Sequence, residues 1–200
     1  MKTKLLVLGA LFASLCASVQ GQTPLLHLSF DSVSGSTVSN DGSGGSTFDG
    51  TLTGTATVVA GGVGNCLSIP AGNSQNAYVA ISSLPVSFDN SGTWSWAMWI
   101  KTTTPGGTYM YQGDGGWASA NRTFYLNNGS TTGHQIGGVS FGQGWETGTT
   151  AVDDGLWHFI AMTCNNGTKT MYVDGVVDNI SVNSWSANAA YWLERIQYAR

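Results

Sequence analysis

Residues 93–101, Thr-Trp-Ser-Trp-Ala-Met-Trp-Ile-Lys, limit what this chain can fold into more than any other stretch. Side chains alternate along an extended strand, so Trp94, Trp96, Met98 and Ile100 share one face and Ser95, Ala97, Trp99 and Lys101 the other. A helix would scatter the same residues around its axis, and the flanks, Ser91-Gly92 before and residues 102–107 after, are loop chemistry. Three indoles in nine residues are too much apolar area to leave in water. The segment is therefore expected to be a central strand, buried on one face and largely covered on the other. Such a strand needs a second layer, which means a β-sandwich.

The remaining sequence is consistent with many short strands. Glycine supplies 28 of 200 residues and charged residues only 9 %, against about 25 % in ordinary soluble domains. With 42 % hydrophobic and 11 % aromatic residues, the chain still has the material for a core. Strands are expected at 25–30, 51–60, 66–70, 77–82, 109–112, 122–127, 135–141, 156–164 and 168–174, with a long loop at 33–50. Asn165-Asn166-Gly167 and Asp174-Gly175 are the hairpin turns. No helical period and no tandem repeat interrupts the pattern, which predicts an all-β, antiparallel sandwich or jelly roll.

Residues 1–21 read as a signal peptide outside the fold: Lys2 and Lys4, an apolar run over 5–17, then small residues, with cleavage after Gly21 and a rival site at Ser18. Residues 22–200 then form one exported domain. Without Lys2 and Lys4, five basic residues face 11 acidic ones, a net charge near −6 with no basic patch. Nucleic acid is not an expected partner, and no later apolar run reaches membrane-spanning length. Cys66 and Cys164 remain after the leader is removed; a disulfide between them and two buried free thiols are the alternatives.

Six pieces, in this order, resemble the laminin-G-like family of concanavalin A-type jelly rolls. They are Leu28-Ser29-Phe30-Asp31; Asp41-Gly42-Ser43-Gly44-Gly45 with Asp49-Gly50-Thr51-Leu52; residues 62–69; residues 94–101, with Trp99 on the recurrent tryptophan; residues 154–163 around Trp157-His158; and Met171-Tyr172-Val173-Asp174-Gly175. The resemblance implies the jelly-roll fold and the possibility of Ca2+ beside the first strand, where Asp31, Asp41 and carbonyls near Gly44 and Gly45 would serve as ligands. The same two aspartates also read as turn residues bonding their own backbone. The family's closing strand is not found, and residues 192–196 look like the strand before it, so the expected sandwich lacks its final strand and belongs to a longer protein.

The same sandwich hosts glucanases, which need two carboxylates about 5–5.5 Å apart. This chain has only two glutamates, Glu146 and Glu194, neither with an acid two residues away, and Asp153 and Asp154, being adjacent, point to opposite faces. His27, His134 and His158 show neither a triad nor a metal-ligand spacing. A lectin-like site needs exposed indoles beside polar groups, and Trp117, Trp145 and Asp114 in Gly-rich segments are the candidates. Trp94, Trp96, Trp99 and Trp157 are assigned to the core, and Trp185 and Trp192 to core that a missing strand would cover. Four Asn-x-Ser/Thr sequons, at Asn121, Asn128, Asn166 and Asn179, matter only in a eukaryotic host. The expectation is a secreted, extracellular or cell-surface module without catalysis that binds a glycan or an extracellular partner. The alternative is a structural spacer or protein-interaction domain of a larger surface protein.

Overall fold

The structure, a computed structural model, describes residues 22–70, 77–81, 84, 88–90, 92–103, 107–112, 122–126, 134–140, 144–185 and 193–195. The expected signal peptide, Asp114 and Trp117 lie outside these residues. Strands joined by turns account for the fold, with one 3-10 turn at Gly45–Phe48. In chain order the strands are β1 Val33–Ser34, β2 Thr37–Val38, β3 Gly50–Thr53, β4 Thr57–Ala60, β5 Asn65–Ser68, β6 Tyr78–Ala80, β7 Thr93–Ile100 and β8 Thr108–Gln112. They continue with β9 Arg122–Leu126, β10 Gln135–Ser140, β11 Gly144–Ala151, β12 His158–Asn165, β13 Thr168–Val173, β14 Val176–Ser181 and β15 Leu193–Arg195.

Every pairing among them is antiparallel. One sheet runs β14-β13-β12-β7, a second β11-β10-β9-β8-β15, a third β1-β2-β3-β6, and β4-β5 is a separate hairpin. The aromatic part of the interior lies between the first two, and the core continues under the third through Val38 and Val79 and under the hairpin through Leu67. Phe124 on β9, fully buried, reaches Trp96 at 4.9 Å, Phe88 at 5.5 Å, Trp185 at 6.1 Å and Trp94 at 6.5 Å between ring centroids. Most of these contacts are edge-on, as aromatic quadrupoles prefer. The Trp-rich segment is thus the strand its alternation predicts, with Trp94, Trp96 and Ile100 buried.

Along one edge the two layers are sewn together. Asp178 sits at a break in the β13–β14 register and accepts from the Thr149 and Thr150 amides at 3.0 and 2.9 Å and from their hydroxyls at 2.8 and 2.6 Å. Gly148 is required there, because a Cβ would collide with the Asp178 carboxylate. Burial works against the charged form, but these four donors hold the Asp178 carboxyl below its ordinary value.

Several expectations need correction. Residues 25–30 form no ladder: Phe30 adopts φ 62°, and the segment is tied instead to the 40–44 loop by the Asp41 amide on His27 O (2.9 Å) and the Gly44 amide on Leu25 O (3.0 Å). The expected loop at 33–50 contains the β1–β2 hairpin, turned at Gly35 with φ 61°. Gly54, with φ 65°, splits the expected 51–60 strand into β3 and β4. Trp145 lies on β11, opposite Val139, and not in a loop. Cys66 and Cys164 are free thiols: Cys164 points into the core and donates to Asp89 O at 3.5 Å, whereas Cys66 lies against Gly61 in the β4–β5 hairpin. Burial pushes the Cys66 thiol up.

Candidate functional site

The outer face of the β14-β13-β12-β7 sheet carries the largest departure from the expected core. Trp99 is 61 % exposed and Trp157 half-buried, so neither is the core residue its neighbours suggest. Nothing in the described structure covers the Ser95–Ala97–Trp99 side of β7, all three residues being exposed. Antiparallel pairing sets Trp99 opposite Phe159, and their rings meet at 5.3 Å with an interplanar angle of 56°. One row along, Ala97 stands opposite Ala161 and Ala161 opposite Tyr172. The next row is Ser95, Thr163 and Thr170. The result is a floor of two methyl groups, bounded by rings at Trp99, Phe159 and Tyr172 and by hydroxyls on the far side. This is surface that holds planar apolar faces and hydroxyls together.

The end of this face is fixed by His158, at the start of β12. Its Nδ1 lies 2.8 Å from Asp174 Oδ2 and its Nε2 3.1 Å from Asp154 Oδ1. Asp174 Oδ1 also accepts from the Phe159 amide at 2.8 Å, and the Asp174 amide returns a bond of 2.8 Å to Phe159 O. Burial disfavours the imidazolium, but the hydrogen bonds to Asp174 and then Asp154 outweigh it and raise the His158 pKa. Asp154 is held down by the Leu156 amide and by His158, and Asp174 chiefly by His158.

A group whose pKa rises on folding stabilises fully below its unfolded value, about 6.5 for histidine, and loses that contribution as pH climbs through the folded value. Stability measured by urea unfolding is therefore expected to fall between about pH 6 and 8 in the native chain. The slope should be flatter in His158→Gln, and an unchanged slope would show that the clamp does not titrate with folding.

The other sequence-derived candidates fall elsewhere. Asp31 and Asp41 are exposed and meet at Ser29: the Asp31 amide donates to Ser29 Oγ at 3.3 Å, and that hydroxyl bonds the Asp41 carboxylate. Asp31 Oδ1 takes the Asn65 amide at 2.9 Å. The organiser of the loop is a residue the sequence did not mark, Asn40. Its Oδ1 accepts from the His27 and Gly42 amides at 2.8 and 2.9 Å, and its Nδ2 donates to Gly45 O at 3.0 Å and Leu25 O at 3.2 Å. Gly44 packs against Phe48, where a Cβ would clash. Among the described residues, no three His, Cys, Asp or Glu side chains form a metal-binding group, so most oxygens of a Ca2+ shell would have to be loop carbonyls and water. Asp153, as expected, faces away from Asp154 and bonds His134.

Glu146 is buried inside the sandwich with Lys169, whose Nζ is 3.6 Å from Glu146 Oε1, both side chains being 1 % exposed. Of the proposed sugar-binding set, Trp145 is described only by its place on β11, whereas Trp99, Phe159 and Tyr172 are the aromatic residues the sequence reading missed as a surface. Their common parity on paired strands was the available signal.

A search of curated proteins finds no match. Among solved structures, domain 4 of AbnA, an extracellular GH43 arabinanase from Geobacillus stearothermophilus solved in complex with arabinotriose, aligns over 79 % of this chain and 81 % of its own length. The TM-score is 0.52 and the identity 17 %, a likeness of fold. The family model of the concanavalin A-like lectin/glucanases superfamily, Laminin_G_3, matches residues 72–194. The match takes in the Trp-rich strand and the 154–175 hairpins that carry the laminin-G-like resemblance, while the three motifs before residue 72 lie outside it. The chain belongs to the concanavalin A-like lectin/glucanase superfamily.

Proposed function

We propose that the chain is a secreted, non-catalytic glycan-binding module of a longer extracellular protein, and that it binds through the open face around Trp99. The observation that carries this reading is an indole 61 % exposed and packed at a tilt against Phe159, on a sheet face with hydroxyls beside it. An indole costs free energy in water and recovers it against the apolar face of a sugar ring. The arabinotriose in the structural neighbour supports the ligand class and supplies the first probe. A binding role is favoured over cleavage because the two carboxylates that converge, Asp154 and Asp174, are both taken up by the His158 imidazole, at 3.1 and 2.8 Å. Glu146, buried against Lys169, is shut away from any substrate.

Titration calorimetry with arabinotriose is expected to give saturable binding that Trp99→Ala weakens by about tenfold or more, since a lost ring stack is worth about 0.5–1.5 kcal/mol beyond the area it buries. The melting temperature should stay unchanged and no sugar should be released. Equal affinity in the variant would remove Trp99 from the site. No glycan binding at all would favour the spacer or protein-interaction alternative.

Calcium at the 29–45 loop belongs to the same proposal. The Asp41 carboxylate takes the Ser29 hydroxyl and the Asp31 carboxylate the Asn65 amide, and among the described residues no basic side chain pairs with either. Millimolar Ca2+ is expected to raise Tm by about 2–4 °C over a chelated sample, and not in Asp41→Ala. Identical melting with and without the ion would remove it from the account.

A further inference from the structure

We infer that the face between the Trp99–Phe159 pair and Tyr172 takes an uncharged, extended oligosaccharide of about three sugar residues, laid diagonally across β7, β12 and β13. This rests on the glycan reading above and narrows it to a class of ligand and a direction.

The register supplies the direction. Tyr172 stands two strands over from Trp99 and one face-row along, since Trp99 pairs with Phe159 and Tyr172 pairs with Ala161. Strand spacing of about 4.8 Å and a rise of about 3.4 Å per residue put the two rings on a diagonal of about 12 Å, the reach of a short oligosaccharide and well beyond one ring. The diagonal crosses β12 between Phe159, whose ring extends the Trp99 end of the platform, and Ala161, whose methyl group leaves the way to Tyr172 low; a larger side chain at Ala161 would block it. Ser95 and Thr163 flank the floor, opposite each other across β7 and β12, with hydroxyls that donate and accept and so match sugar hydroxyls.

Charge supplies the class. No charged residue lies on the rows Ala97–Ala161–Tyr172 and Ser95–Thr163–Thr170, and the Trp99–Phe159 row meets one only at its far end, where Asp174 exchanges backbone contacts with Phe159. The charged groups facing the end of the trough are Lys101, next after Ile100 on β7, and the Asp154–His158–Asp174 clamp, where the imidazole already answers the two carboxylates. The whole chain carries a formal net charge of −4. A uronic-acid polymer would meet no cation cluster on this face and a repulsive field around it. A neutral chain loses nothing on either count.

The test is a length series on the intact chain, using arabinose oligomers of one to five residues, the corresponding xylose and glucose oligomers, and trigalacturonate as the anionic comparison. At least one neutral series is expected to gain about tenfold in affinity per added residue up to three, then change by less than about twofold. Tyr172→Ala should reduce trisaccharide affinity about tenfold with the monosaccharide unaffected, and Tyr172→Phe should restore it. Trigalacturonate should bind at least about tenfold more weakly at low salt, where repulsion is least screened. Binding that Trp99→Ala removes, but that ignores chain length or Tyr172, overturns the diagonal trough and leaves the glycan reading standing. Preference for trigalacturonate overturns the ligand class. No binding by any neutral series overturns both.

Discussion

Lys169→Met is expected to destabilise the fold by about 3–5 kcal/mol, the usual cost of leaving one member of a buried ion pair without its partner. Lys169 points inward from β13, and its Nζ donates to Asn183 O at 2.5 Å and to Gly167 O at 3.4 Å. Glu146 Oε1 on β11 is 3.6 Å away, and the Trp185 ring lies beneath the ammonium at 4.9 Å. The cation therefore joins the two layers. Methionine fills much of the same volume but strands the Glu146 carboxylate, whose other contact among the described residues is the Asn183 side-chain amide at 3.4 Å.

Glu146→Gln should cost less, about 1–2 kcal/mol, because the ammonium keeps its carbonyl acceptors. In the double replacement Lys169→Met with Glu146→Leu most of the loss should be recovered, since no buried charge remains. Urea unfolding of the four chains measures all three values. A Lys169→Met loss under about 1 kcal/mol would mean that water reaches the pair.

Phe124→Ala is expected to cost a similar amount, about 3–5 kcal/mol. The residue is fully buried, and its ring meets four aromatic partners, two on β7 of the opposite sheet and two in connecting segments. Removing it leaves a cavity lined by Trp94, Trp96, Phe88 and Trp185, rings too rigid to collapse inward. Near-UV circular dichroism should lose intensity together with the drop in denaturation midpoint, because the same indoles report both. A change below about 1 kcal/mol would show that this interior is not close-packed.

The strands that hold these residues were legible where period-two alternation ran between turn signals. Trp94, Trp96 and Ile100 point inward as read, and Asn166-Gly167 and Asp174-Gly175 turn with φ of 45° and 90°, and 52° and 80°. Those left-handed pairs are what a two-residue hairpin demands. Trp99 was misplaced for a physical reason. Alternation tells which residues share a face but not whether a second layer covers it, so the outer indole looked as buried as the inner two.

The same gap hid the trough, whose parts lie on three strands far apart in sequence and meet only through register. The Glu146–Lys169 pair was invisible because β11 was read as a Gly-rich loop; a strand there places Glu146 inside and Thr147 outside. The first segment was over-read from its apolar run, while the Asn40 bonds that hold it span up to 15 residues and leave no local mark. Asp31 and Asp41 were named as metal ligands from the family resemblance alone; the link the structure shows is the Asp31 backbone amide and the Asp41 carboxylate on the one Ser29 hydroxyl.

A glycan seated on the open face must change the environment of one indole. With 15N-labelled tryptophan, and Trp99→Phe to identify the resonance, the Trp99 Nε1–H signal should move saturably on titration with arabinotriose or with whichever neutral trisaccharide the length series selects. The buried Trp94, Trp96 and Trp185 signals should stay in place. Saturable binding that leaves the Trp99 signal unmoved would contradict the account.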